Sequence, residues 1–318
     1  MPRRLITIPT LLLIWMLMVA STPIWLVAGL VLGVIRRRRF IALRLLAFVL
    51  VFTTMEVLGL SAMLGAFLVG RASNQRFHHR LQAWWAGCLF AAVRFVLKLE
   101  VEVTGDEVLA QGPYLLLMRH SSLADTLLPA ALVSRKHGTQ LRYVLKKELR
   151  FDPCLDLCGS RLPNHFIDRS SPNENELLAI ARLAENLGPK DGVLIYPEGT
   201  RFSERRRQKR LADLEDRGAA LLEQARALKA TLAPKIRGVA ALRSAAPAAD
   251  VVICAHHGFE GFRTLGDVLS GDMVGRTVSV RFWRIAADAV PASQGDELLP
   301  WLYREWAEVD RFVVEHAA

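Results

Sequence analysis

Two long apolar stretches occupy the N-terminal part of the chain. No charged residue occurs from Leu5 to Ile35, and a second stretch from Leu45 to Val69 is interrupted only by Glu56. Each stretch is longer than the ~20 residues needed to span a bilayer. The first is too long for the apolar region of a signal peptide, and no clean small-residue cleavage site follows it. The pattern predicts a membrane anchor over residues 1–71, made of one or two hydrophobic helical segments or hairpins, and a catalytic domain over 72–318.

The basic residues around these stretches bear on the topology of the anchor. Arg3 and Arg4 precede the first stretch, the run Arg36–Arg39 separates the two, and Arg71 follows the second. Two ordinary spans with cytoplasmic ends would carry the central arginines across the membrane, against the positive-inside rule. One solution is that Pro23 breaks the first stretch into a re-entrant or monotopic hairpin, which keeps all basic flanks beside anionic head groups. Two conventional spans are the alternative.

Strand and helix patterns alternate in the rest of the chain. Runs of apolar and β-branched residues predict strands over 99–103, 114–118, 141–145, 193–196, 249–255 and 277–283. Helical spacing predicts helices over 79–98, 122–136, 174–187 and 297–315. We expect an α/β fold, with a layered, mostly parallel sheet flanked by helices, whose ligands gather at the carboxyl ends of the strands.

The second predicted strand ends in a histidine that is followed five residues later by an aspartate. These are His120 and Asp125. Residues five apart on one helix point in different directions, so the two side chains can meet only if His120 lies in the turn after the strand. A general base and the carboxylate that orients it have this layout. The other interpretation is that Ser122 and Asp125 form only a capping box at the start of a helix.

Another predicted strand, over 193–196, is followed by Glu198-Gly199-Thr200-Arg201, about eighty residues after His120. Glycine permits close approach of the backbone, and arginine offers a rigid fork of donors, so this turn can receive a phosphate. Taken alone, the same four residues are a common solvated turn. The occurrence of two such motifs after strands in one chain favours a functional site.

With its His-x4-Asp motif followed by Glu-Gly-Thr-Arg, the chain resembles the phospholipid/glycerol acyltransferase superfamily, which includes the 1-acylglycerol-3-phosphate acyltransferases. Further similar blocks lie at Leu145–Leu149, Phe166–Arg169 and Leu232–Gly238, and the resemblance spans Leu99 to Phe282. The chain departs from the family in two places. Arg119 stands where the family usually has asparagine, and Pro163 stands where its third block usually has glycine.

The resemblance implies a membrane-bound acyltransferase. It would move a fatty acyl group from a thioester, acyl-CoA or acyl-ACP, to the free hydroxyl of a lysophospholipid, best 1-acyl-sn-glycerol-3-phosphate, which gives phosphatidic acid. His120 would be the base and Asp125 its orienter. The residues expected to bind substrate are Glu198, Gly199, Thr200, Arg201, Arg169 and Lys146. Glu198 would orient the acceptor or the loop, and Lys146 could equally form a structural salt bridge. No metal and no cofactor beyond the acyl thioester is expected.

Other functions remain open at this stage. The acceptor could be another lysophospholipid. A membrane esterase or thioesterase would release fatty acid without an acceptor, and a non-catalytic membrane scaffold would leave the two motifs as coincidence. The chain has no Gly-x-Ser-x-Gly elbow, which favours direct transfer without an acyl-enzyme.

Charge and cysteine usage narrow the possible partners. A net charge of +10 suits nucleic acid, an anionic membrane surface or an anionic substrate. No nucleic-acid motif is present, so we expect the membrane surface and anionic substrates, with acyl carrier protein as a possible partner. Four cysteines do not make a disulfide framework in 318 residues. We expect a membrane protein, in a bacterial inner membrane, with its catalytic domain facing the cytoplasm.

Overall fold

Two long helices form an N-terminal hairpin in the computed structural model, which describes residues 2–36, 40–168, 174–262 and 265–317. Helix α1 is Pro2–Arg36 and helix α2 is Ile41–Leu68. Both are long and apolar enough to cross a membrane by length and composition. Most large apolar side chains of α1 are exposed, as expected of a surface that contacts lipid.

Helix α1 is continuous through Pro23. Proline lacks an N–H group, so the carbonyl four residues before it loses its helical partner. Hydroxyl groups beside this point bond to neighbouring carbonyls, with Ser21 Oγ 2.6 Å from Leu17 O and Thr22 Oγ1 2.7 Å from Met18 O. Neither of these two bonds reaches Val19 O, the carbonyl four residues before Pro23, and yet the helix does not break there. The predicted break at Pro23 is therefore wrong, and the hairpin turns between α1 and α2 instead.

Strands and helices alternate through the remaining chain. The strands are β1 (Glu100–Thr104), β2 (Tyr114–Met118), β3 (Gln140–Lys146), β4 (His165–Ile167), β5 (Asp191–Ile195), β6 (Asp250–His257) and β7 (Thr277–Ile285). The described helices that follow α2 are α3 (Gln75–Leu97), α4 (Pro153–Gly159), α5 (Glu174–Leu183), α6 (Glu204–Glu215), α7 (Leu222–Ala227), α8 (Ile236–Ala245), α9 (Leu265–Ser270) and α10 (Leu298–Ala317). The helix predicted over 122–136 is a 3-10 turn, Ala124–Leu127, followed by a π-helical segment, Pro129–Arg135.

The seven strands form one sheet in the order β1-β7-β6-β2-β5-β3-β4. Neighbours are parallel except for β6 and β7, so the predicted α/β fold with a mostly parallel sheet is confirmed. Residues of the central strand β2 alternate between two cores: Leu115 and Leu117 face one, and Tyr114, Leu116 and Met118 face the other. Helices therefore cover both faces, as a fully buried parallel strand requires.

Helix α2 lies along α3 over most of its length. Near its start, Ile41 packs in the same core cluster as Val96 at the end of α3. Near its end, Met63 packs with Leu81 and Trp85 from the first half of α3. The two helices are thus antiparallel neighbours, and α3 joins the hairpin to the sheet as a core helix.

Polar contacts also fasten the hairpin to helix α4. The carboxylate of Glu56, the acidic residue within the second apolar stretch, accepts a hydrogen bond from Cys154 N at 3.1 Å. Asp156 is almost fully buried and binds Arg3 Nη2 at 2.7 Å and Arg4 Nε at 2.6 Å. Glu56 therefore satisfies a free amide at the start of a helix, which explains an acidic residue in an otherwise apolar segment.

The contact between α2 and α4 can be tested at Gly59. A Cβ atom there would lie 2.5 Å from Cys154 Sγ. We expect Gly59→Ala to lower the unfolding free energy by about 1–3 kcal/mol through overpacking, and Cys154→Ala to restore part of the loss. The measurement is thermal unfolding in detergent. Gly65→Ala is the matched control, since nothing lies within 4 Å of its Cβ position. Equal effects at both glycines would contradict the packing.

Candidate active site

The site lies at the carboxyl end of three neighbouring strands. Strand β2 is parallel to both β5 and β6, with Leu117 opposite Ile195 and Met118 opposite Cys254. The segments that leave these strands therefore emerge at the same edge of the sheet. The backbones of the two motifs are joined there, because Phe202 N donates to His120 O at 2.8 Å.

His120 and Asp125 are in contact. His120 Nδ1 lies 3.1 Å from Asp125 Oδ1, and the imidazole is 13% exposed whereas the carboxylate is fully buried. Because an ionised carboxylate only accepts, Nδ1 carries the proton and Nε2 keeps its lone pair. We find no hydrogen-bond partner for Nε2 among the described residues. The imidazole therefore presents a basic nitrogen away from Asp125, in the geometry of a general base.

The second oxygen of Asp125 shapes the turn. Oδ2 accepts from Ser121 N at 2.6 Å and Ser122 N at 2.8 Å, while Ser122 Oγ accepts from Asp125 N at 3.2 Å. Burial raises the pKa of Asp125, but its hydrogen bonds to His120 and to the Ser122 amide oppose this rise, and the pKa lies below its ordinary value. The capping box and the histidine contact are thus formed by the same carboxylate, one oxygen for each.

His256, at the end of β6, lies behind this pair. Its Nε2 is 2.9 Å from Arg119 O and 3.7 Å from Asp125 Oδ2, and the side chain is fully buried. Burial lowers the pKa of His256 to about 4, so the ring is neutral near pH 7. Sequence reasoning missed this residue, because only the parallel register of β2 and β6 brings it beside Asp125.

Glu198, in the second motif, binds the backbone of His120 in the first. Its side chain is fully buried; Oε1 accepts from His120 N and Oε2 from Leu232 N, both at 3.0 Å. Burial raises the pKa of Glu198 to about 7. Both oxygens are occupied by main-chain amides, so Glu198 orients the loop. A direct contact with the acceptor, the other role considered for it, does not fit this geometry.

The turn after Glu198 places a glycine beside an arginine. Gly199 has φ +70°, a left-handed conformation that glycine adopts readily, and its N–H donates to Tyr196 O at 2.9 Å. Thr200 and Arg201 are half-buried. Arg201 Nη1 is buried and has no hydrogen-bond partner in the described part of the chain. An unpaired guanidinium nitrogen beside a glycine turn is suited to a phosphate oxygen.

Two residues outside the predicted site also border it. The ring of Tyr196 lies 4.4 Å from that of His120, centroid to centroid, at an interplanar angle of 30°. Lys235 N donates to Pro197 O at 2.8 Å, and the Lys235 side chain lies 3.4–3.5 Å from the Cβ position of Gly199. The Leu232–Gly238 block was the sequence signal for Lys235. Its last residue, Gly238, packs closely on Ile195, where a Cβ would be 2.7 Å from Cδ1.

The other two predicted substrate ligands are less informative. Lys146 is about half exposed, and its Nζ lies 3.4 Å from Glu148 Oε1, which fits the structural salt bridge considered for it. Arg169 lies outside the described residues. Within the described ranges no group of three or more His, Cys, Asp or Glu side chains could hold a metal ion.

A cavity of about 560 Å³ lies elsewhere, between α7 and α10. Its walls include Leu228, Tyr303 and Ala307, and it borders Lys229 and Asp310. No residue of either motif lines it.

Comparisons with known proteins show similarity to acyltransferases in sequence and in fold. The acyltransferase family model matches residues 100–236. A 1-acyl-sn-glycerol-3-phosphate acyltransferase of Saccharomyces cerevisiae is 29% identical over 124 residues, 39% of each chain. One of Pseudomonas aeruginosa is 33% identical over 133 residues, 40% of this chain and 47% of that protein. The chain thus spans half or less of the length of these two relatives.

A solved structure extends the comparison beyond the matched region. The 1-acyl-sn-glycerophosphate acyltransferase PlsC from Thermotoga maritima superposes with a TM-score of 0.57. The match covers 88% of this chain and 98% of that one, at 17% identity, and therefore concerns the fold alone. Residues 100–236 are thus similar to the acyltransferase family, and the fold over most of the chain is that of PlsC.

Proposed function

We propose that this chain transfers a fatty acyl group from a thioester, acyl-CoA or acyl-ACP, to the free hydroxyl of a lysophospholipid. The best acceptor is 1-acyl-sn-glycerol-3-phosphate, with phosphatidic acid as product. The observation that carries the proposal is the His120 imidazole, whose Nδ1 is held by a buried carboxylate while Nε2 remains available as a base. The names of the relatives from yeast and Pseudomonas support this acceptor.

The chemistry needs one proton to move twice. His120 Nε2 takes the proton of the acceptor hydroxyl as its oxygen attacks the thioester carbonyl carbon. The carbon–sulfur bond then breaks, and the imidazolium returns the proton to the leaving thiolate. Asp125 stabilises the imidazolium that forms between these steps and fixes its tautomer. No acyl-enzyme is required.

The phosphate of the acceptor would lie at the Gly199–Arg201 turn. Arg201 contributes the unpaired guanidinium nitrogen, and Gly199 lets the phosphate approach the backbone. The turn and the imidazole follow adjacent parallel strands, and the backbone bond between Phe202 and His120 fixes their separation. This arrangement suits an acceptor whose hydroxyl and phosphate are a few bonds apart.

Product analysis tests the proposal. The purified protein is offered labelled acyl-CoA with a mixture of lysolipids, and the lipids formed are identified by mass spectrometry. Labelled phosphatidic acid is the expected product. Another labelled diacyl phospholipid would identify a different acceptor, whereas release of free fatty acid without any acceptor would favour an esterase or thioesterase.

The hairpin is proposed to lie within one leaflet, with every basic flank on the cytoplasmic side. Helix α2 contacts α3 from Ile41 to Met63, and 28 residues of helix extend about 42 Å. A helix lying along the catalytic unit in this way could not cross the bilayer without drawing that unit into the hydrocarbon. The membrane contact would therefore be made by the exposed apolar face of α1 and α2.

Removing either partner of the His120–Asp125 pair should abolish transfer. We expect His120→Ala and Asp125→Asn each to lower kcat by about 10²–10⁴-fold, because the base is lost or loses its orientation. Initial rates in mixed micelles are the measurement. His137→Ala is the control, because His137 also pairs with a carboxylate, Asp106, at 3.0 Å but lies outside the motifs. Full turnover by His120→Ala would rule out the base assignment.

Loss of the Arg201 side chain should weaken binding of the phosphate. For Arg201→Ala we expect the KM for the lysophospholipid to rise about 10-fold with a smaller change in kcat, since a charged hydrogen bond is lost. Steady-state kinetics with the lysolipid varied provide the test. The control is Arg217→Ala, an exposed arginine near the end of α6. An unchanged KM in Arg201→Ala would place the phosphate elsewhere.

The turn of the hairpin and the segment after α2 should be accessible from the same side of the membrane. We compare Phe40→Cys, in the turn, with Arg71→Cys, after α2. Both variants also carry Cys88→Ser, which removes the partly exposed native cysteine; the other three native cysteines are buried. In sealed inverted vesicles, an impermeant maleimide should label both positions; in intact cells it should label neither. Labelling of Phe40→Cys alone from outside would establish two conventional spans.

A further inference from the structure

Arg119, directly before His120, has no part in the proposed reaction. It stands where the family usually has asparagine, and its side chain is only 1% exposed. Nη1 donates to His256 O at 2.8 Å and to Glu260 Oε1 at 2.7 Å, and Nη2 donates to Ala230 O at 3.0 Å. The guanidinium thus joins the end of β2 to the end of β6 and to the segment 229–232.

The segment 229–232 is held from two sides. From α10, the Asp310 carboxylate accepts from Lys229 N at 3.0 Å, Ala230 N at 2.7 Å and Thr231 N at 2.8 Å. From the site, Glu198 accepts from Leu232 N. Arg119 binds the carbonyl of Ala230, two residues before Leu232. The Arg119 guanidinium and the Glu198 carboxylate therefore bind the same short segment, which couples their positions.

Glu198 needs a positive charge near it. A buried carboxylate is costly unless a cation compensates for it. Burial raises the pKa of Glu198 to about 7, and the positive charge of Arg119 opposes that rise. The other charged or titratable groups beside it are Asp125, which raises the pKa further, His120, and Arg210, whose Nη2 lies 3.4 Å from Glu198 O.

The protonation state of Glu198 matters because of its two partners. Each oxygen accepts one main-chain amide, from His120 and from Leu232. An ionised carboxylate accepts both bonds with its negative charge, whereas a protonated carboxyl is a strong acceptor only at its carbonyl oxygen. Protonation would therefore weaken the bond to either the backbone of His120 or the segment 229–232.

We infer that Arg119 is a positioning residue: fixed to the main chain of segment 229–232, it places a buried positive charge near the Glu198 carboxylate, which in turn holds the backbone of His120. The inference rests on the proposed function for its main readout. It assigns Arg119 an electrostatic role at a distance from substrate, in addition to its bonds to the main chain.

The pH profile of kcat/KM tests this role. Without the guanidinium charge the pKa of Glu198 rises, so a smaller fraction is ionised at pH 7. We expect Arg119→Met to displace the acid limb to higher pH by about one unit, with activity recovering at alkaline pH. Arg119→Lys, which keeps the charge, should return the limb towards that of the wild type.

Arg243 offers a matched control. It is also buried, and its guanidinium binds carbonyl groups only, at Ala287 and Val290 among others, far along the chain from the motifs. Arg243→Met should lower the unfolding temperature and leave the pH profile unmoved. An unmoved profile in Arg119→Met, or an equal displacement in Arg243→Met, would overturn the inference.

Glu260→Gln covers the case in which Arg119→Met does not fold. Removing this carboxylate leaves the charge of Arg119 less neutralised, so the acid limb should move to lower pH; no movement would overturn the inference. If wild type acylates no lysolipid, the proposed function fails, and stability then tests Arg119. A raised carboxyl pKa costs stability as pH rises from about 4.5 through 7. That loss should extend to higher pH in Arg119→Met and not in Arg243→Met.

Discussion

The Glu198 carboxylate is the interaction on which the site depends. It accepts the amide of His120 after β2 and the amide of Leu232 before α8, so one buried side chain ties two separate loops to the end of β5. A buried carboxylate is stable only when its acceptors are filled and its charge is opposed. Main-chain amides bind both oxygens and nearby cations oppose part of the cost of burial, so the geometry of the imidazole depends on the whole sheet edge.

Asp125 serves both as a capping residue and as the partner of His120, which the sequence presents as alternative interpretations. A serine three residues before an aspartate indicates a capping box, and a histidine five residues before it indicates a catalytic pair. The carboxylate has two oxygens, and each takes one of these roles: Oδ2 binds the amides of Ser121 and Ser122, and Oδ1 binds His120. The turn therefore restricts the aspartate on one side while it orients the imidazole on the other.

The hairpin and the catalytic unit are packed against each other. Glu56 and the arginines at the start of α1 bind α4, and the apolar side of α2 covers α3. Because α3 also packs on the sheet, the position of the hairpin fixes the position of the sheet relative to any lipid that the hairpin contacts. With the proposed lysophospholipid acceptor, such a link would set the depth of the active site.

The sequence by itself determined the α/β class, the six longer strands, and the two motifs that follow β2 and β5, because alternation and apolar runs reflect burial along a single segment. It could not determine the continuity of α1 through Pro23, because a proline in an apolar run is compatible with a break or with an uninterrupted helix. Nor could it find the short strand β4 or the position of His256, and it marked Lys235 only through the Leu232–Gly238 block. His256 and Lys235 reach the site through the pairing of β6 with β2 and the position of the start of α8, while Asp310 holds segment 229–232 from α10. Contacts between segments distant in sequence leave no periodic signal in either segment, so only the tertiary structure decided them.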